Sequence, residues 1–85
     1  MKIDFHSKFT KTLKRFPKKT REQFYEKLEI FETNQFAEPL KNHAVHYPYE
    51  GCRSINITGD LRALYEVIGD TALFIRLGSH SELYK

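Results

Sequence analysis

The stretch Arg53-Ser54-Ile55-Asn56-Ile57-Thr58-Gly59-Asp60-Leu61-Arg62-Ala63-Leu64-Tyr65-Glu66-Val67-Ile68-Gly69-Asp70-Thr71-Ala72-Leu73-Phe74-Ile75-Arg76-Leu77 decides the fold. Residues 53–58 alternate, Gly59-Asp60 is a turn signal, 61–68 is rich in β-formers, and Gly69-Asp70 precedes a third alternating run over 71–77. The pattern is that of a three-strand antiparallel meander. With Gly69-Asp70 as a two-residue hairpin loop, Ala63 faces Arg76 and Leu64 faces Ile75. One face then carries Leu64, Ile68, Leu73, Ile75 and Leu77 and is expected to pack on helices. The other carries Leu61, Ala63, Tyr65, Phe74 and Arg76, and the same parity puts Arg62 on the core side.

Upstream, Ile3 and Phe5 alternate with Asp4 and His6, which predicts a short first strand. Phe9, Leu13 and Phe16 then fall at i, i+4, i+7, one face of a helix that Pro17 stops. Thr20-Arg21-Glu22-Gln23 has the form of a capping box, and Phe24, Leu28 and Phe31 repeat the spacing, so a second helix is expected from about Thr20 to about Asn34. The short joint favours an antiparallel helical hairpin. From Gln35 to Gly51 no period holds, and Pro39, Asn42, Pro48 and Gly51 punctuate what reads as an irregular loop bearing His43, His46, Tyr47 and Tyr49. The fold class is therefore α+β in the order β-α-α-β-β-β, a two-helix hairpin packed on one face of a small, mainly antiparallel sheet.

The 85 residues, 40% hydrophobic and 29% charged, suffice for a single domain spanning 1–85 and exclude a second core. Such a chain buries roughly two-thirds of its unfolded surface, so a bound partner would matter to its stability. The only cysteine, Cys52, excludes an internal disulfide and a cysteine-rich zinc site, which suits a reducing, cytoplasmic location. Neither a signal peptide nor a membrane span is expected. Net charge is +3, but Lys8, Lys11, Lys14, Arg15, Lys18, Lys19 and Arg21 stand together with no acid among them. A cationic stripe of this kind attracts polyanions, although a solvated helix face has the same composition.

The end of the chain concentrates chemistry: Arg76, then Gly78-Ser79-His80-Ser81-Glu82-Leu83-Tyr84. Together with His43-Ala44-Val45, Gly51-Cys52-Arg53 and Gly59-Asp60-Leu61-Arg62, this pattern resembles the RelE/ParE superfamily of bacterial type II toxins, specifically its YafQ-like branch. The tail looks like that branch's Gly-Thr-His-Ser-Asp/Glu-Leu-Phe/Tyr ending, and the resemblance covers nearly the whole chain.

The resemblance implies a ribosome-dependent endoribonuclease, an mRNA interferase that inhibits translation and is neutralised by a cognate antitoxin. Its partners would be messenger RNA, ribosomal RNA and that antitoxin, with no membrane, metal or other cofactor. His80 matches the tail histidine and would be the general acid. Asp60 and His43 match the other proton-handling positions, either of which would take the 2′-proton. Arg76 matches the arginine that holds the phosphate oxygens, and Tyr84 a terminal aromatic that stacks on a base or positions the phosphate. Arg62 resembles a phosphate-binding arginine of RelE proper, and Arg53 would pair with an acid or a phosphate at the sheet margin. Asn56 stands where the branch has a histidine, and it hydrogen-bonds without exchanging protons near neutrality. Two other readings stay open: a non-enzymatic ParE-like toxin that binds gyrase, against which His80 and Asp60 argue, and a catalytically silent RNA- or antitoxin-binding module, which Asn56 permits.

Overall fold

The computed structural model describes residues 1–84. Strand β1 (Lys2–Phe5) leads into helices α1 (Ser7–Arg15) and α2 (Lys18–Thr33), a 3-10 turn at Glu38–Leu40, strands β2 (His43–Ala44), β3 (Arg53–Asn56), β4 (Leu61–Ile68) and β5 (Thr71–Ser79), and a short helix α3 (His80–Leu83). The five strands form one sheet in the order β1-β5-β4-β3-β2. It is antiparallel except where β1 runs parallel to β5, an arrangement reached by crossing over through the helices. The expected α+β architecture is thus present, with two additions: β2, which pairs with β3 inside the segment expected to be loop, and α3.

Each helix boundary has a local cause. His6 serves as the N-cap of α1, its Nδ1 accepting the Lys8 N–H at 3.0 Å where a Ser or Asp side chain more often stands. Pro17 separates the helices as expected, but the capping box at Thr20 does not form. Pro17 itself, at φ −58°, opens α2, and its carbonyl accepts the Arg21 N–H at 3.0 Å. Thr20 therefore lies inside the first turn. The Arg21 guanidinium reaches back to the Phe16 carbonyl at 2.7 Å and fixes the joint.

From Leu61 to Phe74 the two faces of the meander are the reverse of those expected, while Leu77 and Arg76 lie on the faces expected for them. Leu61, Ala63, Tyr65, Ala72, Phe74 and Leu77 join Phe9 and Leu13 of α1 and Phe24 and Phe31 of α2 in the main core. Phe74 sits at its centre, ring centroids 5.3 to 6.2 Å from Phe5, Phe9, Phe24, Phe31 and Tyr65. Leu64 lies on the opposite face, in a second cluster with Val45, Cys52 and Leu83, against which Ile75 packs. Both faces of these strands are apolar, so counting hydrophobic residues does not tell them apart.

Register explains the rest. The hairpin begins as expected, with Ile68 opposite Thr71 and pairing running regularly to Tyr65 opposite Phe74. A bulge between Leu64 and Tyr65 then shifts it by one, so Leu64 faces Arg76, Ala63 faces Leu77 and Arg62 faces Gly78. Ile75 is the extra residue. Phe74 and Leu77 consequently both enter the main core, while Arg76 and Arg62 lie on the face away from the helices.

Truncating the central ring tests this core. Phe74→Ala is expected to cost about 3–5 kcal/mol, comparable to the whole stability of a domain this small. Circular dichroism during a urea titration should show a largely unfolded variant, and an unchanged midpoint would contradict the packing described.

Candidate functional site

The face away from the helices is built in transverse rows. His43, Ser54, Leu64 and Arg76 are paired across β2, β3, β4 and β5, and Asn56, Arg62 and Gly78 form the next row. Arg62 and Arg76 are diagonal neighbours, roughly 7–8 Å apart at Cβ. Both are half-buried, and neither has a carboxylate partner among the described residues. Arg62 Nη1 donates to the Thr58 and Gly59 carbonyls at 3.4 and 3.2 Å, and Arg76 Nη1 to the Ile75 carbonyl at 2.8 Å. Each guanidinium is thereby anchored through one nitrogen, with other donors left for an anion.

The tail folds onto this face, and its residues divide into two kinds. The tail packs over Gly78, where a Cβ would be in ordinary contact with Glu82 Oε1 at 3.4 Å and Leu83 Cδ2 at 3.5 Å. Ser79 and Glu82 form a reciprocal capping box, Glu82 N–H to Ser79 Oγ at 3.2 Å and Ser79 N–H to Glu82 Oε1 at 2.8 Å. Leu83 plugs into the second cluster. The remaining aromatic members, His80 and Tyr84, stack on each other with centroids 4.8 Å apart, and Tyr49 abuts Tyr84 edge-on at 6.0 Å. His80 is exposed. A motif that looks functional throughout is therefore largely a device for holding two rings against the sheet.

The electrostatics favour a neutral hydroxyl beside fixed cations. Burial raises the Tyr84 hydroxyl above the ordinary tyrosine range, Tyr49 and Cys52 push the same way, and Arg62 opposes them. Burial also raises the Cys52 thiol, with a further push from Glu66, so it is a poor nucleophile.

Asp60 and His43 sit at opposite ends of the arrangement. Leu61 pairs with Ser79 at the end of the β4–β5 ladder, so Asp60 and His80 each adjoin that last pair in sequence, His80 as the first residue of α3. Asp60 is exposed and lines a cleft of about 500 Å³ with Phe16, Lys19, Gln23 and Leu61. His43 lies on edge strand β2, three strands from Arg76, which is roughly 14 Å at the usual spacing. Its Nδ1 is 2.9 Å from the Lys41 carbonyl.

Arg53 is not brought together with the others. It pairs with Tyr65 on the helix side, donates from Nε to Asn42 Oδ1 at 2.7 Å, and lies over the Phe36 ring at 5.3 Å. Asn42 in turn donates to the Tyr65 hydroxyl at 2.7 Å, which ties the loop to the core. Sequence reasoning singled out neither this Asn42 network nor Tyr49 as the support of Tyr84, and only the fold brings these distant positions together. Among the described residues, no three His, Cys, Asp or Glu side chains gather as a metal site would need, and no helix is long and apolar enough to cross a membrane.

Fold and face together define a small α+β domain that offers two unpaired arginines, an exposed imidazole and a neutral phenol to an anionic ligand. The chain belongs to the YafQ toxin family, described as bacterial toxins of type II toxin-antitoxin systems, whose sequence profile matches residues 1–85. Among solved structures it is similar to YafQ from E. coli strain BL21(DE3), at TM-score 0.80 and 20% identity over 98% of this chain and 97% of that one. A metal-bound toxin from Helicobacter pylori matches at TM-score 0.76 and 28% identity, over 99% of both chains. A chain of the E. coli DinJ-YafQ complex matches at TM-score 0.70 and 22% identity, over 98% of this chain and 97% of that one. No curated protein sequence matches it.

Two measurements check the site as described. Arg53→Ala should lower stability by about 1–3 kcal/mol through loss of a charged hydrogen bond, read from chemical denaturation. In an alkaline titration, Tyr84 should ionise above the ordinary tyrosine range, seen as a late component of the tyrosinate absorbance that disappears in Tyr84→Phe. A raised folded value means that the Tyr84 contribution to stability is complete below the ordinary phenol value of about 10 and is lost as pH climbs through the folded value. Stability that does not fall in that alkaline window would contradict the assignment.

Proposed function

We propose that this toxin is a metal-independent endoribonuclease that cuts messenger RNA on the ribosome, inhibiting translation until a cognate antitoxin binds it. The observation that carries this is the gathering of Arg62, Arg76, His80 and Tyr84 on one sheet face, with both guanidiniums free of carboxylates among the described residues. Two diagonal arginines suit a phosphodiester, whose non-bridging oxygens gain charge as the 2′-oxygen attacks.

In that reaction the ribose 2′-oxygen loses its proton to a base and bonds to the adjacent phosphorus, and the 5′-oxygen leaves with a proton from His80. The products are a 2′,3′-cyclic phosphate and a free 5′-hydroxyl. We assign the base to Asp60, which adjoins the Leu61–Ser79 pair that precedes His80, in preference to His43, which lies three strands from Arg76 and would meet a neighbouring nucleotide. Asn56, opposite Arg62, hydrogen-bonds the RNA without moving protons. Tyr84, held neutral, donates a hydrogen bond or stacks on a base. The cations of α1, of which none has an acidic partner among the described residues, would rest on ribosomal RNA phosphates. The similar E. coli toxin solved with DinJ supports an antitoxin partner.

Primer extension on a messenger translated in a cell-free system tests the proposal. Wild type should give discrete cuts inside the reading frame. His80→Ala should slow them about 10²–10⁴-fold, the usual worth of a general acid. Wild-type protein that leaves the messenger intact, or a His80→Ala protein that cuts equally fast, would overturn it.

A further inference from the structure

The cleft lined by Phe16, Gln23, Leu61 and Ser79 has no task in the mechanism above. We propose that it seats an unstacked nucleobase of single-stranded RNA, on the nucleotide whose 2′-hydroxyl attacks, and that Gln23 reads the edge of that base. This deepens the nuclease reading and rests on it.

The cleft's size, about 500 Å³, falls within the usual range for small-molecule sites. Its apolar lining is the half-buried Phe16 ring and the buried Leu61 side chain, an aromatic and aliphatic surface on which the flat face of a base can lie. Half-buried Gln23 lines the same cleft. Among the described residues its side chain makes no hydrogen bond, although an amide with one acceptor and two donors matches a base edge whose donor and acceptor are neighbours. At the rim Lys19 has no acidic partner among the described residues and is available to a phosphate or a base carbonyl. The cleft lies at the end of the sheet where β5 gives way to α3: Asp60 and Ser79 line it, and His80 follows Ser79 in the chain. An RNA strand with its phosphate between Arg62 and Arg76 can turn one base over the sheet's end into this space.

The test uses a short oligoribonucleotide and the His80→Ala protein, which should bind without cutting. In ¹⁵N–¹H spectra the Gln23 side-chain amide and the backbone around Phe16 should shift and saturate with RNA. Gln23→Ala, checked by circular dichroism for an unchanged fold, should weaken that binding about tenfold. Shifts confined to the face of Arg62 and Arg76, or no binding at all, would overturn the base site. A second arm maps cuts in translated messengers, where Gln23→Ala should relax the base preference at one position beside the cut. An unchanged profile would also overturn the proposal. Failure of wild-type protein to cut is a different result, one that removes the nuclease reading while the spectra still judge the cleft.

Discussion

A regular β-strand sends residues two apart to the same face, so it cannot give Phe74 to a hydrophobic core and Arg76 to an open surface. The bulge opposite Leu64 removes that conflict by inserting Ile75 into the count. Phe74 and Leu77 go inward, Arg76 comes out beside Arg62, and the strand still runs on to place Ser79 and α3 at the sheet's end. Without the extra residue, either the aromatic core loses a member or a guanidinium enters it unpaired, and each is costly in a domain with little stability to spare. The position of Arg76 on the open face follows from this one irregularity, whereas regular alternation along β4 already puts Arg62 there.

The second hydrophobic cluster shows how so short a chain supports a site on both counts, packing and chemistry. Leu83 brings α3 down onto Leu64, Val45 and Cys52, and that contact fixes His80 and Tyr84 over the sheet. The Ser79–Glu82 capping box starts the helix at the residue that follows the strand. The two rings that the proposed mechanism uses are thus held by neighbours that have no task in it, as precise positioning would require.

The element order was legible because the helix stripes, Pro17 and the two Gly-Asp turns are strong local signals. The faces of the meander were not, for a physical reason. Leu64 and Ile75 are as apolar as Tyr65 and Phe74, and the bulge changes parity without a glycine or proline to announce it. Strand β2 escaped notice because it covers only His43 and Ala44 and meets β3 across an irregular connection that carries no hairpin signal. The capping box was read at Thr20, where the pattern is present, although Pro17 had already opened that helix. Of the candidate site, the tail and Arg76 were found through motif resemblance, whereas the separation of Arg53 from Arg62 depends on which side of β3 and β4 each one occupies.

The most direct test of this face is a crystal structure of the protein with a short RNA carrying a 2′-O-methyl group at the nucleotide that would attack, so that the strand cannot be cut. The bulged register requires the adjoining phosphate to lie between the Arg62 and Arg76 guanidiniums, on the side of the sheet opposite α1 and α2 and within reach of His80. RNA bound only along the lysines of α1, or a phosphate held on the helix side near Arg53, would contradict it.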